Sequence, residues 1–153
     1  MRSALFALLA LFILLAPASA LFGSASIENY IDRYNANIDN APALLRSVVG
    51  DERMDVEILL VNGTIFKMGL ETEGGRITRT VPGGLENPSI VAETREDVIY
   101  RILRASDPIA EFQRSREAGD MVITGMTFTA KLKLAAALSS MDVLRFFLQL
   151  IRG

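Results

Sequence analysis

Three glycine-bearing breaks, Asn62-Gly63, Gly74-Gly75 and Pro82-Gly83-Gly84, cut the stretch from residue 54 to residue 93 into apolar runs too short for core helices. Each run reads as a strand. Met54 to Val61 is mostly apolar, and Asn62-Gly63 is a hairpin signal because both residues tolerate positive φ. Ile65 to Leu70 follows, with Phe66, Met68 and Leu70 on one face. Gly74-Gly75 turns the chain into Arg76 to Val81, where Ile77 and Val81 are expected to share a face. Pro82-Gly83-Gly84 and Asn87-Pro88 bound a loop that suits the rim of a mouth, and Ser89 to Glu93 is a fourth strand.

The flanking segments change period. Ile27, Tyr30, Ile31 and Tyr34 recur at helical spacing, and a second helical stretch from Ala43 to Val49 stops at Gly50. Thr94 with Asp97 resembles a capping box, opening a helix with Val98, Ile99, Ile102 and Leu103 on one stripe and Arg101 and Arg104 opposite. Asp107-Pro108 starts another helix, cap followed by proline in the first turn, with Ile109 and Phe112 inward and Gly119 closing it. Met121 to Met126 is a fifth strand, followed by helices from about Phe128 to Leu138 and Met141 to Ile151. The expected fold class is α+β, a five-stranded mixed sheet covered on one face by helices.

Residues 1–20 read as a signal peptide: Arg2, an unbroken apolar run from Ala4 to Ala16, and Ala18-Ser19-Ala20 before the expected cleavage point. The rival is an uncleaved anchor, since no charge occurs between Arg2 and Glu28 and such a span is long enough for a bilayer of ~30 Å. Either way the domain is expected outside the cytoplasm, secreted or tethered to a membrane. Removal of the leader leaves 133 residues, about one domain. The expected organisation is a signal peptide (1–20), an N-terminal helical segment (21–50), the sheet domain (51–138) and a C-terminal apolar helix packing on it (139–153).

The absence of cysteine and histidine removes thiolate nucleophiles, disulfides, imidazole bases and soft-metal sites. Charge is −2 with both signs interspersed, so no basic stripe marks a nucleic-acid binder. The acid pairs Asp51-Glu52, Glu71 with Glu73, and Glu96-Asp97 invite an acid/base or hard-metal reading, but each sits beside a turn or helix start, where acids serve solubility or the helix dipole. Arg114 and Arg116 are candidates for an anionic headgroup, or simply favour a helix dipole. Asn62-Gly63-Thr64 is a glycosylation sequon as well as a turn.

The last helix has one narrow polar stripe, Asp142, Arg145, Gln149 and Arg152, while Val143, Leu144, Phe146, Phe147, Leu148, Leu150 and Ile151 cover the rest. It is a buried terminal helix, a wall of a lipid cavity, a dimer contact or a helix lying on a membrane.

From about Asp55 to Leu138 the chain resembles the sterol carrier protein-2 family. The resemblance rests on Asp107-Pro108, Phe112, Gly119, the strand Met121-Val122-Ile123-Thr124-Gly125 and the helix from Ala130 to Leu138, with a similar layout in the first half. Two departures are a longer stretch from Gln113 to Ala118 and Asp120 in place of a basic residue. The resemblance implies a five-stranded sheet backed by helices, with an apolar tunnel for fatty acyl chains or sterol-like molecules. By position, Ile99, Ile102, Leu103, Phe112, Met126, Phe128, Leu132 and Ala136 are expected to line it, with Phe146 and Phe147 closing one end.

A non-catalytic lipid binder with no cofactor and no metal is therefore expected, its partners being an apolar small molecule, peripherally a membrane, and a second copy in a homodimer. The competing readings are a protein-interaction module with a filled cavity and the last helix as its interface, and an enzyme built on paired carboxylates.

Overall fold

The computed structural model describes residues 24–152, so the leader expectation lies outside the described residues. Helix α1 (Ser24–Asn37), a short 3-10 turn (Ile38–Asn40) and α2 (Ala43–Val48) precede the hairpin strands β1 (Arg53–Leu59), β2 (Ile65–Glu73) and β3 (Arg76–Pro82). Strand β4 (Ile90–Arg95) leads directly into α3 (Glu96–Arg104) and α4 (Pro108–Glu117). Strand β5 (Met121–Gly125), α5 (Phe128–Ala137) and α6 (Met141–Arg152) complete the chain.

The five strands form one sheet in the order β3-β2-β1-β4-β5. Among the described residues only the β1–β4 pair is parallel; the three others are antiparallel. Strand β1 is central, and its alternation decides the two faces. Met54, Val56 and Ile58 stand beside Leu70, Met68 and Phe66 of β2 and beside Ile90, Ala92 and Thr94 of β4, forming the inner face. Asp55 and Glu57 point the other way, beside Gly69 and Lys67 on one side and Val91 and Glu93 on the other. Lys67 forms ion pairs with both Asp55 and Glu57 on that outer face.

Helical side chains close over the inner face. Tyr30 and Tyr34 of α1, Leu45 and Val48 of α2, Val98, Ile99 and Ile102 of α3 and Phe112 of α4 join the strand residues in one buried apolar core. Ala130, Leu134 and Ala137 of α5 and Val143, Leu144 and Phe146 of α6 complete it. Asp142, Arg145 and Gln149 on the polar stripe of α6 are exposed, as its spacing implies.

The edge strand β3 is guarded by α1. The Asn35 side chain donates to the Ile77 carbonyl at 2.9 Å and accepts from the Ile77 amide at 2.8 Å, copying a strand partner at the exposed edge. Tyr34, buried in the core, donates its hydroxyl to the Gly75 carbonyl at 2.8 Å. Burial pushes its hydroxyl pKa well above the usual phenol range.

Four local expectations change. Ile77 and Val81 do not share a face: a bulge between Glu71 and Thr72 sets Ile77 opposite Thr72 and Val81 opposite Gly69, so only Ile77 reaches the core. Thr94 does not cap α3; it belongs to β4, and its hydroxyl donates to the Asp120 carbonyl at 3.1 Å. The loop after β3 does not stand free as a rim, because the Leu85 amide donates to buried Asp55 at 2.8 Å and ties the loop to the outer sheet face. At the β1–β2 turn only Gly63 takes positive φ, at 83°, while Asn62 does not.

Candidate ligand-binding site

The layer between the inner sheet face and the helices is apolar on both sides. Alternation brings Val56, Ile58 and Ala92 up from the floor, and Ile99, Ile102 and Phe112 come down from α3 and α4. These two helices are set by local chemistry. The Asp107 side chain accepts from the Ala110 amide at 3.0 Å with Pro108 at the first turn, so the cap-then-proline reading holds in detail. Leu103 is partly buried against the same core, and Phe146 enters from α6.

The other residues expected to line the cavity lie elsewhere. Met126, Phe128 and Leu132 are 57%, 77% and 56% exposed, and Ala136 is exposed as well. The cause is the seating of α5. Gly125 at the end of β5 lets the helix backbone approach so closely that a Cβ there would meet the Lys131 amide nitrogen at 2.6 Å. Thr127 caps the helix by accepting from the Ala130 amide at 3.1 Å, and Ala130, Leu134 and Ala137 consequently turn inward. Phe128, Leu132 and Ala136, spaced by four, are left as an outward stripe. The side chain of Phe147 lies outside the described residues. Sequence spacing puts Tyr30 and Tyr34 on a helix without assigning them to the site, and their i, i+4 separation is the signal that they enter the same interior.

The acids are engaged in structure. Buried Glu52 receives Lys133 of α5 at 2.7 Å and the Ser89 hydroxyl at 2.5 Å, tying the start of β1 to the last sheet helix. Buried Glu96 accepts the Val61 amide at 2.8 Å and fixes the β1–β2 turn to α3. Asp51 accepts the Gly74 amide at 2.9 Å, and Glu71 pairs with both Arg53 and Arg79. Among the described residues no group of three or more acids gathers as a metal site. Arg114 pairs with Glu111 at 2.7 Å, and the Arg116 guanidinium lies 6.0 Å from the Phe112 ring centre.

Asp120, the departure noted in the sequence, bridges Arg101 at 2.6 Å and Arg95 at 3.4 Å, linking the start of β5 to α3. The Arg101 bond, with Arg95 behind it, holds its carboxyl below the usual range. Ionised Asp120 thus contributes stability that is complete above the ordinary carboxylate pKa of ~3.9 and is lost as pH falls through the lowered value. Asp120→Asn is expected to lower the denaturant midpoint near neutrality, with the gap to the parent narrowing below pH ~4. A gap of the same size at both pH values would contradict this role.

One open groove of about 210 Å³ lies between α1 and β3, lined by Glu28, Ile31, Asp32, Ile77, Thr78, Arg79 and Thr80. It is at the sheet edge, small beside the roughly 300–1,000 Å³ of typical ligand pockets, and bordered by Glu28, Asp32 and Arg79. An acyl chain is not its natural occupant. No helix among the described residues is long and apolar enough to cross a membrane.

No family model matches the chain, and no curated protein matches it. Solved structures do. The chain is similar to a conserved Thermus thermophilus protein described as a candidate sterol carrier protein, with a TM-score of 0.52 and 14% identity over 86% of this chain and 90% of that one. It is also similar to the sterol carrier protein domain 2 of Helicoverpa armigera, with a TM-score of 0.50 and 13% identity over 82% of this chain and 87% of the other. Strand order, the helical cover on one face and these likenesses agree: the chain has the sterol carrier protein-2 fold.

Proposed function

We propose that this chain is an exported, non-catalytic carrier that holds one apolar molecule, a fatty acyl chain or a sterol-like lipid, between the inner sheet face and the helices. The observation that carries the reading is the apolar layer enclosed by that fold, with Ile99, Ile102, Leu103, Phe112 and Phe146 gathered on its helical side. Binding is by burial, at ~0.8 kcal/mol per methylene removed from water. Export rests on the leader-like residues 1–20, with release from the membrane after cleavage, or tethering if the leader stays.

The exposed stripe of Met126, Phe128 and Leu132 is the surface by which the carrier meets a membrane, with exposed Lys131 beside it toward anionic headgroups. A homodimer through α6 has less support, because Val143, Leu144 and Phe146 are spent on the chain's own core.

A fluorescent fatty acid should bind the mature chain with saturation and move between vesicles faster in its presence. The double variant Phe128→Ser and Leu132→Ser should keep the equilibrium affinity and slow the transfer several-fold. Absence of saturable uptake would contradict the carrier reading, and unaltered transfer by the double variant would contradict the docking surface.

A further inference from the structure

We propose that Asn62 is the acceptor of an N-linked saccharide. The sequence signal is the sequon Asn62-Gly63-Thr64, and the structure places all three residues exposed at a hairpin tip. The turn is a three-residue loop closed by Leu60 N–H to the Thr64 carbonyl at 2.8 Å and Gly63 N–H to the Leu60 carbonyl at 2.9 Å. Only Gly63 occupies the left-handed region, so positive φ does not require asparagine at 62. The closing pair is made by the Thr64 backbone, which any residue supplies.

What the two side chains do is contact one another. Asn62 Oδ1 accepts both the Thr64 amide at 2.9 Å and the Thr64 hydroxyl at 2.7 Å. Neither bond uses Asn62 Nδ2, the atom that would carry a sugar, and residues 61–64 are all exposed. The two bonds close an Asx turn through Oδ1 and leave Nδ2 on the solvent side of the tip.

The surroundings supply an independent observation. Val61 is 80% exposed, Ile65 65% and Leu59 44%, an apolar collar around a hairpin tip. Buried Glu96 holds the Val61 amide at 2.8 Å and fixes the backbone of the tip that carries them. The carbon-rich faces of the first sugars would lie over these side chains and shield them from water.

The donor would be a saccharide linked to a polyisoprenyl diphosphate, met outside the cytoplasm with its transferase. Nδ2 bonds to the anomeric carbon, the bond from that carbon to the diphosphate oxygen breaks, Nδ2 gives up one proton, and polyisoprenyl diphosphate leaves. This step rests on the export part of the proposed function.

The test is peptide mapping of the full chain purified from the cells that produce it, reading both the N-terminus and the tryptic peptide from Met54 to Lys67. The expected result is a chain without residues 1–20 whose 54–67 peptide carries hexose or N-acetylhexosamine mass increments. Thr64→Ser should retain them, and Asn62→Gln and Thr64→Ala should abolish them with the thermal midpoint of the enzymatically deglycosylated chain unchanged. A processed chain with a bare peptide overturns the site and leaves export standing. An unprocessed chain retained in the cytoplasm overturns both.

Discussion

Gly125→Val is expected to destabilise the domain by about 3 kcal/mol, the upper part of the usual range for forcing atoms into a packed interior. The reason is the identity of the obstructing atoms. A Cβ at 125 would lie 2.6 Å from Lys131 N, 2.9 Å from Ala130 C and 3.0 Å from Lys131 Cα, all backbone of α5. No rotamer change relieves that. The helix must move off β5, and the inward contacts of Ala130, Leu134 and Ala137 go with it. Urea denaturation would read the change as a lower midpoint with a similar slope. A loss under about 0.5 kcal/mol, typical of surface changes, would show that α5 does not sit on the strand in this way.

Phe112→Ala carries the other large expected effect, a loss of about 3–5 kcal/mol. The ring is fully buried in the core and packs where α4 meets the sheet layer. Removing it deletes apolar contacts and leaves a void that neighbours on α3 cannot fill without leaving their own rotamers. The milder Phe112→Leu should remain folded and shift acyl-chain affinity several-fold, because the same side chain borders the proposed ligand layer. Unchanged stability of the alanine variant would contradict the packing, and unchanged affinity of the folded leucine variant would contradict the wall assignment.

The parts of the fold that depend on nearby residues are legible in the sequence. Asp107-Pro108 specifies its helix start through a bond three residues away, and the Phe66, Met68, Leu70 alternation specifies its face directly. The stripe of α6 likewise follows from spacing alone. What is not legible depends on distant partners. Thr94 has the pattern of a cap, but β4 claims its backbone and Asp120 its hydroxyl. One extra residue at the β2–β3 bulge sends Val81 to the outer face, and nothing around Thr78 announces it.

The candidate site divides for the same physical reason. Ile99, Ile102 and Phe112 read as inward because their helices are amphipathic on their own. The inward side of α5 is instead chosen by contact with Gly125, because the helix has apolar residues on more than one side and no single apolar stripe. Its sequence offers Phe128, Leu132 and Ala136 as readily as Ala130, Leu134 and Ala137, and tertiary approach makes the choice. Asp120 is visible as a departure, but its reason, two arginines converging from β4 and α3, exists only in the folded chain.

The central claim is that an apolar molecule occupies the layer between sheet and helices, and native mass spectrometry of the chain purified from its producing cells tests it most directly. The account predicts a stoichiometric mass increment that solvent extraction releases as a lipid. A protein that is uniformly ligand-free, and that takes up no fatty acid or sterol when these are supplied, would contradict it.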